Sequence, residues 1–145
     1  MSLFSVLSVS ASGMSAQRTR AELLAENIAN TETTRTPEGG PYRRRDAVFT
    51  SAPVNSPFAS AFDAAMNPEV AGVEVSQLVT DTRDPERRYL PNHPDADEEG
   101  YVAFPRLSPA EDMVDLMSTA RNYEANVAAM SAVKDMIHRS LDMFR

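Results

Sequence analysis

The chain has 145 residues, a formal charge of −7, and neither Cys nor Trp. The lack of Cys excludes a disulfide framework, a thiolate zinc site and a cysteine nucleophile. The acidic balance opposes general nucleic-acid binding, which needs a basic field. Aromatics are 7% of the residues against 42% hydrophobic ones, so bulky core anchors are few. Ala and Met fill many apolar positions instead, which suits helix packing more than a large globular core.

The N-terminal stretch Met1-Ser-Leu-Phe-Ser-Val-Leu-Ser-Val-Ser10 has no positive n-region and no signal-peptide apolar run. Nowhere is an apolar run long enough to span a bilayer. The expectation is a protein that is cytoplasmic or exported without a cleaved signal.

Residues 3–30 have helical periodicity and no Pro. Leu7, Met14, Ala21 and Ile28 recur every seven residues, with Ala11, Leu24 and Ala25 beside that line. This is a narrow stripe suited to one or two partner helices. Gly13 costs the helix about 1 kcal/mol relative to Ala and marks either a bend or a close helix contact. Asn27 and Asn30 stand where the helix ends, as turn formers.

Residues 31–109 hold all ten prolines and four of the five glycines. Ala71–Thr80 alternates apolar and polar residues, with Val73, Val75 and Leu78 as candidate inward positions. Tyr42–Phe49, Arg87–Leu90 and Gly100–Phe104 are further short strand candidates, giving two to four strands in all. Ser51–Pro68, with three prolines and many small residues, reads as a loop.

Residues 110–145 again lack Pro and Gly. Ser108-Pro109-Ala110-Glu111 reads as a capping box with Pro at the first helical position. Leu116, Tyr123, Met130, Ile137 and Phe144 recur every seven residues; Ala120, Val127 and Leu141 form a second row interrupted by Lys134. A helix of this length spans roughly 50 Å and needs a partner helix or neighbouring subunits. The predicted fold is mainly α with a small β element. Residues 1–30 and 110–145 form a discontinuous helical core packed in coiled-coil fashion. Residues 31–109 form a middle segment with short antiparallel strands.

Motifs for chemistry are thin. Asp95-Ala-Asp97-Glu-Glu99-Gly100 has acids at the first, third and fifth places of a calcium loop, but Arg106 stands where the bidentate Glu belongs. A solvated acidic turn is the expectation. His93, between Asn92 and Pro94, lacks a third ligand in register and reads as a turn cap. Gly39-Gly40 is followed by no Lys-Ser or Lys-Thr, so it is not a phosphate loop. Arg43, Arg44 and Arg45, next to Tyr42, are expected to meet carboxylates on a neighbouring subunit. No nucleophile–base pair is evident, so no enzymatic activity, cofactor, metal or small-molecule substrate is expected.

Four segments resemble those of a known family. Ala25-Glu-Asn-Ile-Ala-Asn30 resembles the signature of the flagellar rod and hook proteins. Thr33-Thr-Arg-Thr-Pro-Glu-Gly-Gly-Pro-Tyr-Arg-Arg44, Asn92-His-Pro-Asp-Ala-Asp-Glu-Glu-Gly-Tyr-Val-Ala-Phe-Pro105, and Glu111-Asp-Met-Val-Asp-Leu-Met with Arg121-Asn-Tyr-Glu-Ala-Asn126 resemble its proximal-rod members, in the same order along the chain. The resemblance implies a structural subunit exported without a cleaved signal through the flagellar type III apparatus. It implies assembly across the periplasm, with copies of itself and other rod proteins, between the membrane (MS) ring with its export apparatus and the distal rod. It also implies that the terminal helices form the core contacts. The expected core interface residues are Leu7, Met14, Ala21, Leu24, Asn27, Ile28, Asn30, Leu116, Tyr123, Val127, Met130, Ile137, Leu141 and Phe144. Tyr42 and Arg43–Arg45 are expected at a middle-segment interface. Two other readings compete: a small helical adaptor or chaperone holding one partner helix on its apolar stripe, and a small hydrolase using His93.

Overall fold

The structure, a computed structural model, describes residues 3–53 and 71–143. The order is α1 (Leu3–Ala29), β1 (Arg45–Pro53), β2 (Ala71–Thr80), β3 (Glu86–Tyr89), β4 (Tyr101–Phe104) and α2 (Pro109–Asp142). The architecture is mainly helical with a small β component, as the composition break between termini and middle predicts. The strands form two separate antiparallel pairs, β1 with β2 and β3 with β4.

The two helices lie against each other along much of their length. Gly13 of α1 faces Asn126 of α2, and seven residues on, Arg20 reaches Asp115 at 3.5 Å. Advancing along one helix therefore means retreating along the other, so the pair is antiparallel. The buried row of α1 contains Ala16, Leu23, Leu24 and Asn27; that of α2 contains Asp112, Thr119 and Val133. These are mostly small or polar residues. They bring the helices close: a Cβ on Gly13 would sit 3.2 Å from Asn126 Nδ2. Gly13 thus marks a close helix contact, one of the two alternatives its sequence position left open.

The heptad rows read from the sequence do not form this internal seam. Leu7, Met14, Ala21 and Ile28 are half-buried on the flank of α1. Leu116, Met130 and Ile137 are half-buried and Tyr123 exposed, on a row turned roughly 60° around α2 from the buried one. Hydrophobic periodicity finds the largest apolar side chains. Close helix approach selects the smallest ones, and here the two criteria pick neighbouring rows.

α1 also supports the first strand pair, contacting both β1 and β2. Ser12 Oγ donates to the carbonyl of Val9 (2.8 Å) and accepts the Val73 N–H (3.0 Å). The register runs from Arg45↔Thr80 to Pro53↔Ala71, with an irregularity at Val48/Phe49. Val73 and Leu78, expected to point inward, are 39% and 49% exposed, whereas Gly72 is buried. A two-stranded ribbon with one helix beneath it can bury little, and the glycine takes the tightest place. β1 extends to Pro53, so the loop predicted from Ser51 begins later; its remainder falls in 54–70, outside the described residues.

In the second pair the register is Glu86↔Phe104 to Tyr89↔Tyr101. Val102 and Phe104 are buried, and the Tyr89 and Tyr101 rings meet edge-on at 5.3 Å. Gly100 holds φ at +82°, and a Cβ there would meet the Tyr89 ring at 3.0 Å, so this turn requires glycine.

The start of α2 departs from the predicted capping box. Ser108 is the N-cap and Pro109 opens the helix, but the Ser108 side chain makes no capping hydrogen bond. The first-turn acids Glu111 and Asp112 supply the favourable charge at the helix N-terminus instead.

Candidate functional site

Two regions stand out: a closed junction at the end of α1 and an open apolar face on α2. At the junction Asn27 is wholly buried, with 0% exposure. Its Nδ2 donates to the Arg45 carbonyl (3.0 Å), and its Oδ1 accepts the Arg45 N–H (3.1 Å) and the Tyr42 hydroxyl (2.9 Å). The side chain thus does for Arg45 what a neighbouring strand would do, satisfying both backbone groups where β1 begins. Burial, then the negative charge of Glu26, pushes the Tyr42 hydroxyl up to about 12, so it stays a neutral donor.

Asn30 closes the helix. Its Nδ2 donates to the Glu26 carbonyl (2.9 Å), and its Oδ1 accepts from Thr33 Oγ1 (3.1 Å). The Tyr42 N–H returns to the Thr33 carbonyl (3.0 Å), so residues 31–42 form a loop pinned at both ends. Within it Gly39 and Gly40 adopt φ of +90° and +80°.

The arginines are used inside the chain. Arg44 lies 2.8 Å from Asp112, which is fully buried, and 2.9 Å from Asp46. The Arg44–Asp112 contact is an ion pair off hydrogen-bonding angles: neither Asp112 carboxylate oxygen has a hydrogen-bond partner among the described residues. Burial pushes the Asp112 carboxyl up, and the Arg44 charge opposes that rise. Arg45 pairs with Glu26 at 3.1 Å, and Arg43 Nη1 donates to the Asp81 carbonyl (3.1 Å). The carboxylates expected on a neighbour for Arg44 and Arg45 therefore come from this chain. Likewise Leu24 and Asn27, expected at a subunit interface, are buried by internal packing and leave no side-chain surface for a partner.

The open region runs along α2. Met113, Met117, Tyr123, Val127 and Leu141 are 41–62% exposed, beside the half-buried Leu116, Met130 and Ile137. Together they make an apolar band next to the seam with α1, broken at Lys134. On α1 the half-buried Leu7, Met14, Ala21 and Ile28 form a second flank. Phe144 lies outside the described residues. Met113 continues the Ala120–Val127–Leu141 row one heptad back and Met117 lies off both rows; neither was singled out by periodicity. Asp112, Thr119, Asn126 and Val133 also recur every seven residues, but their mixed polarity gives no hydrophobic signal.

Nothing at the remaining motifs builds a reactive centre. Asp97 Oδ1 accepts the N–H groups of Glu99 (3.0 Å) and Tyr101 (2.7 Å), so it organises a turn. His93 Nδ1 accepts the Asp95 N–H (3.1 Å) and its ring meets Phe104 edge-on, a turn-capping role. Among the described residues no three His, Asp or Glu side chains group as a metal site would, and no helix is long and apolar enough to cross a membrane.

Terminal helices paired antiparallel and an apolar face left open are the two main features of the structure. Comparison with known proteins gives the class. Residues 7–35 match the family described as flagella basal body rod protein, and residues 98–143 match the flagellar basal body rod FlgEFG protein C-terminal family. The chain is 39% identical to the flagellar basal-body rod protein FlgC of Borreliella burgdorferi, over 97% of both chains. It is 38% identical to that of Bacillus subtilis, over 99% of both, and 34% identical to that of Aquifex aeolicus, over 100% of this chain and 99% of the relative. The chain belongs to the FlgC family of flagellar basal-body rod proteins. Its role is structural, not enzymatic, and the adaptor and hydrolase readings fall away.

Proposed function

We propose that this chain is a proximal-rod subunit whose paired terminal helices, residues 1–30 and 110–145, act as a coiled-coil-like core, with residues 31–109 carrying contacts farther from the rod axis. The apolar band on α2 carries this reading. Burying one such side chain contributes roughly 1.5–3 kcal/mol, and a band left open in the single chain is a reservoir for lateral packing. Leu116, Tyr123, Val127, Met130, Ile137 and Leu141 on α2, with Leu7, Met14, Ala21 and Ile28 on α1, are the side chains that neighbours would cover. The partners are further copies and other rod proteins, set between the membrane ring with its export apparatus and the distal rod, across the periplasm. Export proceeds without a cleaved signal; a chain without Cys threads a narrow channel with no disulfide to reduce.

Deleting the gene in its motile host and imaging basal bodies tests the assignment. Membrane rings that carry neither rod nor hook, in non-swimming cells, are the expected result. Complete basal bodies and normal swimming would contradict it.

A further inference from the structure

The β3–β4 hairpin carries opposite charges at its two ends. Each strand has four residues, so the ends stand roughly 13 Å apart at the rise of an antiparallel strand. At the end where β3 begins and β4 finishes, Arg43, Arg44, Arg83 and Arg106 surround Asp81 in a small cleft. Asp81 is occupied by Arg83, which reaches both its oxygens at 2.6–3.0 Å. Arg44 is occupied by Asp46 and Asp112. Arg43 and Arg106 are exposed, and neither has an ion-pair partner among the described residues. Arg43 gives one N–H to the Asp81 carbonyl (3.1 Å), and both guanidiniums line the cleft without a carboxylate in ion-pair contact, on a chain whose net charge is −7.

At the other end, the turn between Tyr89 and Tyr101 presents Asp97, Glu98 and Glu99, all exposed. Glu98 and Glu99 have no ion-pair partner among the described residues. The turn is held in place from within: Leu90 N–H donates to the Gly100 carbonyl (2.9 Å) and Asp97 N–H to that of Tyr101 (2.9 Å). Its neighbour Asp95 is tied back by Thr34 Oγ1 (2.7 Å). The acidic tip is therefore a fixed projection, and the cost of ordering it on binding is already met by the fold.

We propose that the acidic tip Asp97–Glu99 of one copy docks at the arginine cleft of the next copy, through Arg43 and Arg106. A guanidinium pairs with a carboxylate in a two-pronged geometry that a flexible ammonium lacks. Because the two patches differ and lie at opposite ends of one hairpin, the contact is head-to-tail. Such contacts repeat from copy to copy around a ring or helix and do not close on a two-fold axis. Like ends repel, which fixes the direction of stacking. This rests on the rod-subunit reading and adds the copy-to-copy contact to it.

The chain has no Cys, so an engineered pair reports without background. In a host carrying Glu98→Cys together with Arg106→Cys, oxidised basal bodies are expected to give disulfide-linked multimers of this chain on a non-reducing gel, and either single substitution none. Normal amounts of the protein in basal bodies with no multimers would overturn the contact while the rod reading stands. Absence of the unmodified protein from basal bodies would instead sink the rod reading. A charge swap gives an independent readout. Arg43→Glu with Arg106→Glu, and Glu98→Arg with Glu99→Arg, should each shrink the swimming ring, and all four together should restore it. Failure to restore would mean that the cleft takes its acids from a different protein, which overturns the proposal.

Discussion

The two ends of α2 are built differently. Near its start, Asp112 and Thr119 are buried, Arg44 reaches across from the middle segment, and Asn27 ties α1 to the first residue of β1. Toward its end, Met136, Leu141 and Met143 are 50–80% exposed, and Val133 is the last buried residue. The inner face of the first region is held by internal partners, while its outer face carries Met113, Val114 and Met117 at 53–66% exposure. The second has large apolar side chains with water on them and gains free energy only by meeting another surface. Internal stability is thus carried by the inner face near the start of the helix and assembly by the outer face and the far end, which lets them be perturbed separately.

The sharpest separation should come from a charge on the open band. Leu141→Asp, at 62% exposure, is expected to leave the helical circular dichroism and melting of the purified chain unchanged. It should also remove the protein from basal bodies, because a carboxylate buried without a partner costs several kcal/mol. Ile137 is a poorer choice, since it is half-buried in the single chain and a charge there would disturb both regions at once. Normal incorporation of Leu141→Asp would break the division between the two ends.

The reverse effect is expected at the junction. Asn27→Ala removes three hydrogen bonds and strands the Arg45 backbone and the Tyr42 hydroxyl, a loss of about 3 kcal/mol. Denaturant unfolding of the purified chain measures it. A loss below about 1 kcal/mol would mean that water replaces the Asn27 amide and that the junction is not a closed polar core.

A smaller effect separates the Arg44–Asp112 pair from the exposed ion pairs. Burial raises the Asp112 pKa from 3.8, so the native state holds its proton more tightly than the unfolded chain. Its contribution is therefore greatest below the unfolded value and is lost as pH rises through the folded one. Asp81 and Glu86 are shifted down by Arg83 and Arg88 and work in the opposite sense. The difference in stability between the protein and Asp112→Asn should accordingly move against the pair as pH rises from about 4 toward neutrality. A difference that is flat, or that moves the other way, would show that the Arg44 charge outweighs the burial.

Much of this was legible from residue order. The absence of Pro bounded α1, the absence of both Pro and Gly after Pro109 bounded α2, alternation located β2, and Pro, Gly and acidic residues placed the turns between strands. The apolar rows on α1 and α2 were also visible, because large side chains repeat every seven residues. The internal seam was not. Gly13, Ala16, Thr119 and Asn126 carry no hydrophobic signal, and their pairing depends on how closely two backbones approach, which is a property of the packed pair. The Arg44–Asp112 contact joins positions far apart in the chain, and no local pattern announces it. Asn27 was picked out at a helix end, but its use as a clamp on Arg45 depends on where β1 begins, which only the folded chain defines.

The central claim is that the band on α2 is open in the single chain and covered in the rod. Met117, 59% exposed, lies within it and can be changed to Cys as the sole thiol of the protein. Labelling with a maleimide should be rapid in the purified monomer and strongly suppressed in isolated basal bodies that contain the variant. Equal labelling in both would contradict the account, because the band would then face solvent in the assembled rod.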